Sequence, residues 1–144
     1  MNQIERLLHS LNAADVRYVM IGAAAFAAHG WVRATLDTDL YVAGDRENIE
    51  RLRRVLVEFG YDISGASVED FQKFKILLRQ YDLPLDIHPF IKGAAPFPEV
   101  WARRVDADLG SVTAHFASLE DLIEMDGARP ALVDLLGEGA VDCV

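Results

Sequence analysis

The chain has 144 residues, of which 51% are hydrophobic, with one cysteine and a formal net charge of −9. That length suits one domain with a real core, and the apolar content excludes a chain disordered throughout. A lone thiol, Cys143, excludes an internal disulfide, and no apolar run is long enough to cross a bilayer.

Ile4, Leu7, Leu8 and Leu11 recur at helical spacing, which predicts an amphipathic helix over residues 2–13. Its Glu5, Arg6 and His9 fit neither a signal peptide nor a membrane anchor, and the lone Cys143 suits a reducing compartment, so the expected location is the cytoplasm. Val16 to Ile21 reads as a buried strand that Gly22 ends. Ala23 to Ala28 reads as an apolar helix closed by Gly30, and residues 31–35 as a loop leading into a strand from Leu36 to Val42.

Gly44 and Asp45 open a second amphipathic helix, lined on one side by Ile49, Leu52, Leu56 and Phe59 and stopped by Gly60. On its polar side Arg51, Arg53 and Arg54 read as a solvated face. Tyr61 to Ile63 is expected as a short strand, and residues 64–70 as a loop or short helix. Phe74 to Gln80 and Leu83 to Phe90 are expected as two strands joined near Tyr81 and Asp82. Pro84 stands at the start of the second, where a missing N–H is tolerated. Val100 to Arg104 suggests a helical turn, residues 105–116 a hairpin around Gly110, and Ser118 a helix cap with Asp121 three positions on. Pro130 suits the start of a last helix through Leu136.

Charge is unevenly spread. Residues 105–144 hold nine acidic side chains and one basic one, Arg129, while the preceding part is almost balanced. An acidic tail of this kind is a poor grip for nucleic acid.

Aspartate is disfavoured in strands, yet Asp37 and Asp39 sit among Leu36, Leu40 and Val42. Side chains alternate along a strand, so the two carboxylates share a face about 7 Å apart and suit one or two divalent cations. Asp86 lies in a second apolar strand, Leu83 to Ile87. If the strands are neighbours, three carboxylates converge on Mg²⁺ or Mn²⁺, and the third can also take a proton from a hydroxyl. Gly22 and Ala23 form a small-residue turn into a helix where a phosphate can approach. Arg33 and Thr35, just before the acidic strand, are candidate phosphate contacts, and Lys73 and Lys75 weaker ones. His29, His88 and His115 read as structural. Of these only His88, two positions beyond Asp86 on the same strand face, has the placement of a ligand. No Gly-x-Gly-x-x-Gly and no Gly-Lys-Ser/Thr loop is present, so neither a Rossmann nor a P-loop site is indicated.

The set Gly22-Ala23, Asp37-Thr38-Asp39 and Asp86 resembles the DNA polymerase β-type nucleotidyltransferase superfamily. More narrowly, Ile21 to Ala25, His29-Gly30, Arg33, Thr35 and Asp37 to Leu40 are similar to small bacterial and archaeal members related to the abortive-infection type II toxin nucleotidyltransferases. Ala117 to Met125 resembles the stretch that follows the catalytic core there, so the likeness covers roughly residues 3–136. Ala23 stands where that family usually has Gly or Ser. Asp126-Gly127-Ala128-Arg129-Pro130-Ala131 stands where a lysine and then Gly-Arg-Pro-Lys-Asp are common.

The resemblance implies an α+β nucleotidyltransferase fold, a short mixed twisted sheet with helices mainly on one side. It forms a single domain over 1–144, with its core at about 3–116 and an acidic helical segment at 117–144. It implies transfer of a nucleoside monophosphate from an NTP to a hydroxyl of tRNA, protein or a small molecule. Asp37, Asp39 and Asp86 are then catalytic and hold the metal, with Gly22, Ala23, Arg33 and Thr35 at the substrate. An antitoxin or a second copy of the chain are the protein partners it leaves open, and no membrane is implied. Beside it, and beside a structural or interaction protein that leaves aspartates in buried strands unexplained, stand two alternatives. One is a degenerate member that binds nucleotide or a partner protein without turnover. The other is a phosphatase of the haloacid dehalogenase type, which also uses Asp-x-Asp after a strand but wants Thr or Val where this chain has Tyr41.

Overall fold

A computed structural model describes residues 1–25, 38–79 and 83–125. In chain order the elements are α1 (Gln3–Ala13), β1 (Tyr18–Ile21), α2 (Gly22–Ala25), β2 (Thr38–Val42), α3 (Arg46–Phe59) and α4 (Val68–Lys73). These are followed by β3 (Ile76–Leu78), β4 (Leu85–His88), α5 (Phe97–Ala102), β5 (Val105–Leu109), β6 (Val112–Phe116) and α6 (Leu119–Glu124). The strands form one six-stranded sheet in the order β3-β4-β2-β1-β6-β5. It is mixed: β1 runs antiparallel to β2 and parallel to β6, while β2 runs parallel to β4. The fold is therefore α+β, as expected.

Helix ends follow local chemistry. Asn2 caps α1 and Glu5 reaches back to the Asn2 N–H, so two otherwise unpaired donors are satisfied together. The Asp45 side chain caps α3, and Gly60 ends it at φ 116°, a conformation that favours glycine. Ser67 with Asp70 and Ser118 with Asp121 cap α4 and α6. Leu7, Leu8 and Leu11 of α1 and Ile49, Leu52 and Leu56 of α3 are fully buried, in one core with Tyr18, Met20, Leu40, Val42, Leu85, Ile87 and Phe116 of the sheet. Register places these sheet residues on one face. Val19, Ile21, Asp39, Tyr41, Asp86 and His88 share the other. There α5 packs, with the Phe97 ring edge-on to Tyr41 at 5.3 Å and the Tyr41 hydroxyl donating to the Ala95 carbonyl.

Several expectations change. Tyr61 to Ile63 is not a strand: the Tyr61 N–H bonds back to the Leu56 carbonyl, closing the end of α3 around Gly60, and the Tyr61 hydroxyl donates to the Leu83 carbonyl. Lys73 ends α4 rather than lying on a strand, because the capping box at Ser67 starts a helix that runs through it. β3 and β4 are shorter than their apolar runs. The helix expected at Val100 begins at Phe97, with Pro98 in its first turn, where a missing N–H costs nothing. The expected helix beyond Ala25 (Phe26 to Ala28), His29, Gly30, the loop at 31–35, Leu36, Asp37, the turn at Tyr81-Asp82 and the helix expected from Pro130 lie outside the described residues. Among the described residues no helix is long and apolar enough to cross a membrane.

Two polar devices fasten the layers. Asn48, 1% exposed, accepts from the Arg17 N–H at 2.7 Å and donates to the carbonyls of Arg17 at 3.1 Å and Ala43 at 2.9 Å. It thus ties α3 to the start of β1 and the end of β2. Arg103 grips Asp121 through two hydrogen bonds of 3.0 and 2.7 Å, and Ser118 donates a third at 2.8 Å, joining α6 to α5.

Asn48→Ala removes the side-chain partner of the Arg17 N–H and of the Ala43 carbonyl and leaves the Arg17 carbonyl with the Ala43 N–H. The expected loss is about 2–3 kcal/mol in urea unfolding, with Asn48→Asp no better because a carboxylate cannot donate to the two carbonyls. For Asp121, burial opposes ionisation, but the hydrogen bonds from Arg103 and Ser118 and the Arg103 charge outweigh it and hold the carboxyl below its ordinary value. Such a group stabilises the fold above its unfolded value, about 3.9, and loses that contribution as pH falls through the folded value. The Arg103 side chain is 48% exposed. Asp121→Asn is therefore expected to cost no more than about 1 kcal/mol at neutral pH, with the gap to the parent narrowing below about pH 4 in urea titrations.

Candidate metal centre

The site is built by strand register. β2 and β4 pair in parallel with Asp39 opposite Asp86 and Tyr41 opposite His88. Residues directly opposite project to the same side, so Asp39, Asp86 and His88 meet on the face away from α1 and α3. His88 Nε2 lies 3.0 Å from Asp39 Oδ1. One ligand atom from each of Asp39, Asp86 and His88 falls within 4.8 Å of the others. Asp86 is 7% exposed, and the Asp39 and His88 side chains are partly buried.

Two carboxylates side by side in a sheet repel unless compensated. Here Arg79 pairs with Asp86 Oδ1, and Lys75 Nζ stands 3.9 Å from Asp86 Oδ2. On the other carboxylate, His88 meets Asp39. β3 explains the cations: Leu77 is opposite Asp86, and residues two positions either side of it share its face. Arg79 was not anticipated, although the alternation Lys75, Leu77, Arg79 beside an acidic strand was a readable signal. Lys75 proves to be the nearer of the two expected lysines.

Gly22 completes the inner wall. Its φ is +72°, and a Cβ there would stand 2.8 Å from Asp39 Oδ2. The antiparallel partnership of Ile21 with Asp39 brings the turn this close. Only a residue with no side chain satisfies both the backbone and the space. Ala23 follows in α2. Asp37, Arg33 and Thr35 lie outside the described residues, so the geometry joins Asp39, Asp86, His88 and Gly22 and does not address the others.

Two carboxylates and an imidazole converging from rigid strands form a donor set that suits a divalent ion. The sheet that carries them has the fold of a solved nucleotidyltransferase. The chain is similar to the solved structure of ANT(2")-Ia in complex with adenylyl-2"-tobramycin, with a TM-score of 0.57 and 18% identity over 83% of this chain and 70% of that one. No protein-family model and no curated protein gives a significant match, so the narrower likeness to the toxin group gains no support from them.

Gly22→Ala is expected to destabilise the chain by about 1–3 kcal/mol, combining backbone strain with the collision at Asp39. In urea unfolding the double variant Gly22→Ala, Asp39→Ala should recover the part due to the collision and keep the part due to backbone strain. Full additivity of the two single changes would show that they do not touch.

Proposed function

We propose that the chain is a metal-dependent nucleotidyltransferase that moves a nucleoside monophosphate from an NTP to an acceptor hydroxyl. The observation that carries this is the meeting of Asp39 and Asp86 on neighbouring parallel strands with Gly22 against them. In this reading Asp37, Asp39 and Asp86 hold Mg²⁺ or Mn²⁺. The ion supplies charge neutralisation at the triphosphate and lowers the barrier to attack. Gly22 and Ala23 form the turn that the phosphates approach, and Arg33 and Thr35 contact them from the segment that precedes β2 in the sequence. Asp86 accepts the proton of the attacking hydroxyl as that oxygen bonds to the α-phosphorus and the bond to the β-phosphate oxygen breaks, releasing pyrophosphate. Positioning and preorganised charge provide most of the rate in such chemistry.

The acceptor is sought first among hydroxyl-bearing small molecules, because the structural neighbour carries an adenylylated one; tRNA and protein hydroxyls come next. The likeness to a nucleotidyltransferase supports this reading over the phosphatase one. The pairing of Arg79 and Lys75 with Asp86 favours a second reading, nucleotide binding without turnover, since these cations already neutralise the carboxylate.

The test is a labelled-NTP transfer assay with each of the four nucleotides and Mg²⁺ or Mn²⁺, beside calorimetry of nucleotide binding. Transfer that Asp39→Asn and Asp86→Asn each reduce by a factor of about 10² or more, with far-UV circular dichroism unchanged, is the expected result. Nucleotide binding with no transfer to any acceptor class would instead establish the second reading.

A further inference from the structure

We infer that His88 is itself a ligand, so that the centre takes a metal with affinity for nitrogen, of the Mn²⁺, Co²⁺ or Zn²⁺ kind, in preference to Mg²⁺. This rests on the metal-dependent reading above and deepens it. The donor set among the described residues is mixed: two carboxylates and one imidazole, within 4.8 Å of one another. Ligands bound at about 2.0–2.2 Å stand roughly 3 Å apart when adjacent, so a small inward movement of side chains closes the three around one ion. His88 points its Nε2 at Asp39 already, at 3.0 Å. Exchanging that hydrogen bond for coordination through the neutral ring requires no change of strand register.

Charge decides which ion gains most. A hard cation that is bound through oxygen depends on the net negative charge of its site. The carboxylates of Asp39 and Asp86 are faced by Arg79 and Lys75, with Arg79 in direct contact with Asp86 and Lys75 at 3.9 Å. These cations offset the carboxylates of Asp39 and Asp86, which weakens the hold of those two groups on Mg²⁺. A nitrogen donor restores affinity only for ions that bond well to imidazole. The His88 ring is 15% exposed on its side chain and fixed by β4, so the donor is preorganised.

The experiment uses the full chain stripped with a chelator and titrated calorimetrically with MnCl₂ and with MgCl₂, the Mn²⁺ complex then being examined by pulsed electron paramagnetic resonance. Mn²⁺ is expected to bind at least about tenfold more tightly than Mg²⁺ and to show hyperfine coupling to a nitrogen. Labelling histidine with the heavier nitrogen isotope should change that coupling. His88→Gln should abolish it and narrow the preference, while the melting temperature of the metal-free chain stays that of the parent. The isotope readout needs no variant, so it stands even where His88→Gln fails to fold. Mn²⁺ bound without nitrogen coupling, a coupling retained in His88→Gln, or equal affinity for the two ions would overturn the inference. Oxygen-only coordination with nucleotide transfer intact would remove this inference and leave the transferase reading standing. Failure to bind either ion would remove both.

Discussion

The parallel, in-register pairing of β2 with β4 is the constraint on which the site depends. It sets Asp39 against Asp86 in the middle of a sheet, where two carboxylates would not settle by local preference. A slip of β4 by one residue would turn Asp86 and His88 to the face packed by α1 and α3, away from Asp39. Register is held by the opposite side of the same strands. Leu40, Val42, Leu85 and Ile87 are all fully buried, so any slip would expose apolar surface on one face and bury charge on the other. The stability of the core and the placement of the chemistry are thus one and the same condition.

The elements around this pair each remove a specific obstacle. Asn48 closes the ends of β1 and β2 from α3, which fixes the antiparallel partnership that brings Gly22 to Asp39. Gly22 allows that approach by having no side chain. Arg79 and Lys75, which flank the edge strand β3, compensate Asp86, and His88 engages Asp39. The result is a polar cluster that is satisfied within the protein yet keeps two carboxylates and an imidazole together. Such a cluster costs stability relative to an apolar one, and functional sites are where that cost is tolerated.

Much of the fold was legible because it rests on local signals. Helical spacing marked α1 and α3, Asp45 and Gly60 marked the ends of α3, and Gly110 marked the β5–β6 hairpin. Aspartates inside apolar runs marked Asp39 and Asp86. Tyr61 to Ile63 misled because an apolar, aromatic stretch has the composition of a strand whether or not a partner strand is free to pair with it. Its residues serve instead as a buried anchor, with the Tyr61 hydroxyl on the Leu83 carbonyl. Asn48 stood unnoticed on a helix for the converse reason: its importance lies in three backbone groups, two of them on Arg17, thirty-one residues away.

From residues alone came most of the helices and strands, the candidate acids and the turn at Gly22, because periodicity, capping and strand-disfavoured charge are properties of short segments; the α+β class came with the resemblance that those residues carry. Tertiary structure alone decided that Asp39 and Asp86 are neighbours, that His88 joins them, and that Arg79 and Lys75 stand over one of the acids. Those facts depend on which strands pair, in which direction and at which register, and pairing between segments some fifty residues apart is settled by burial of the whole sheet face rather than by either strand.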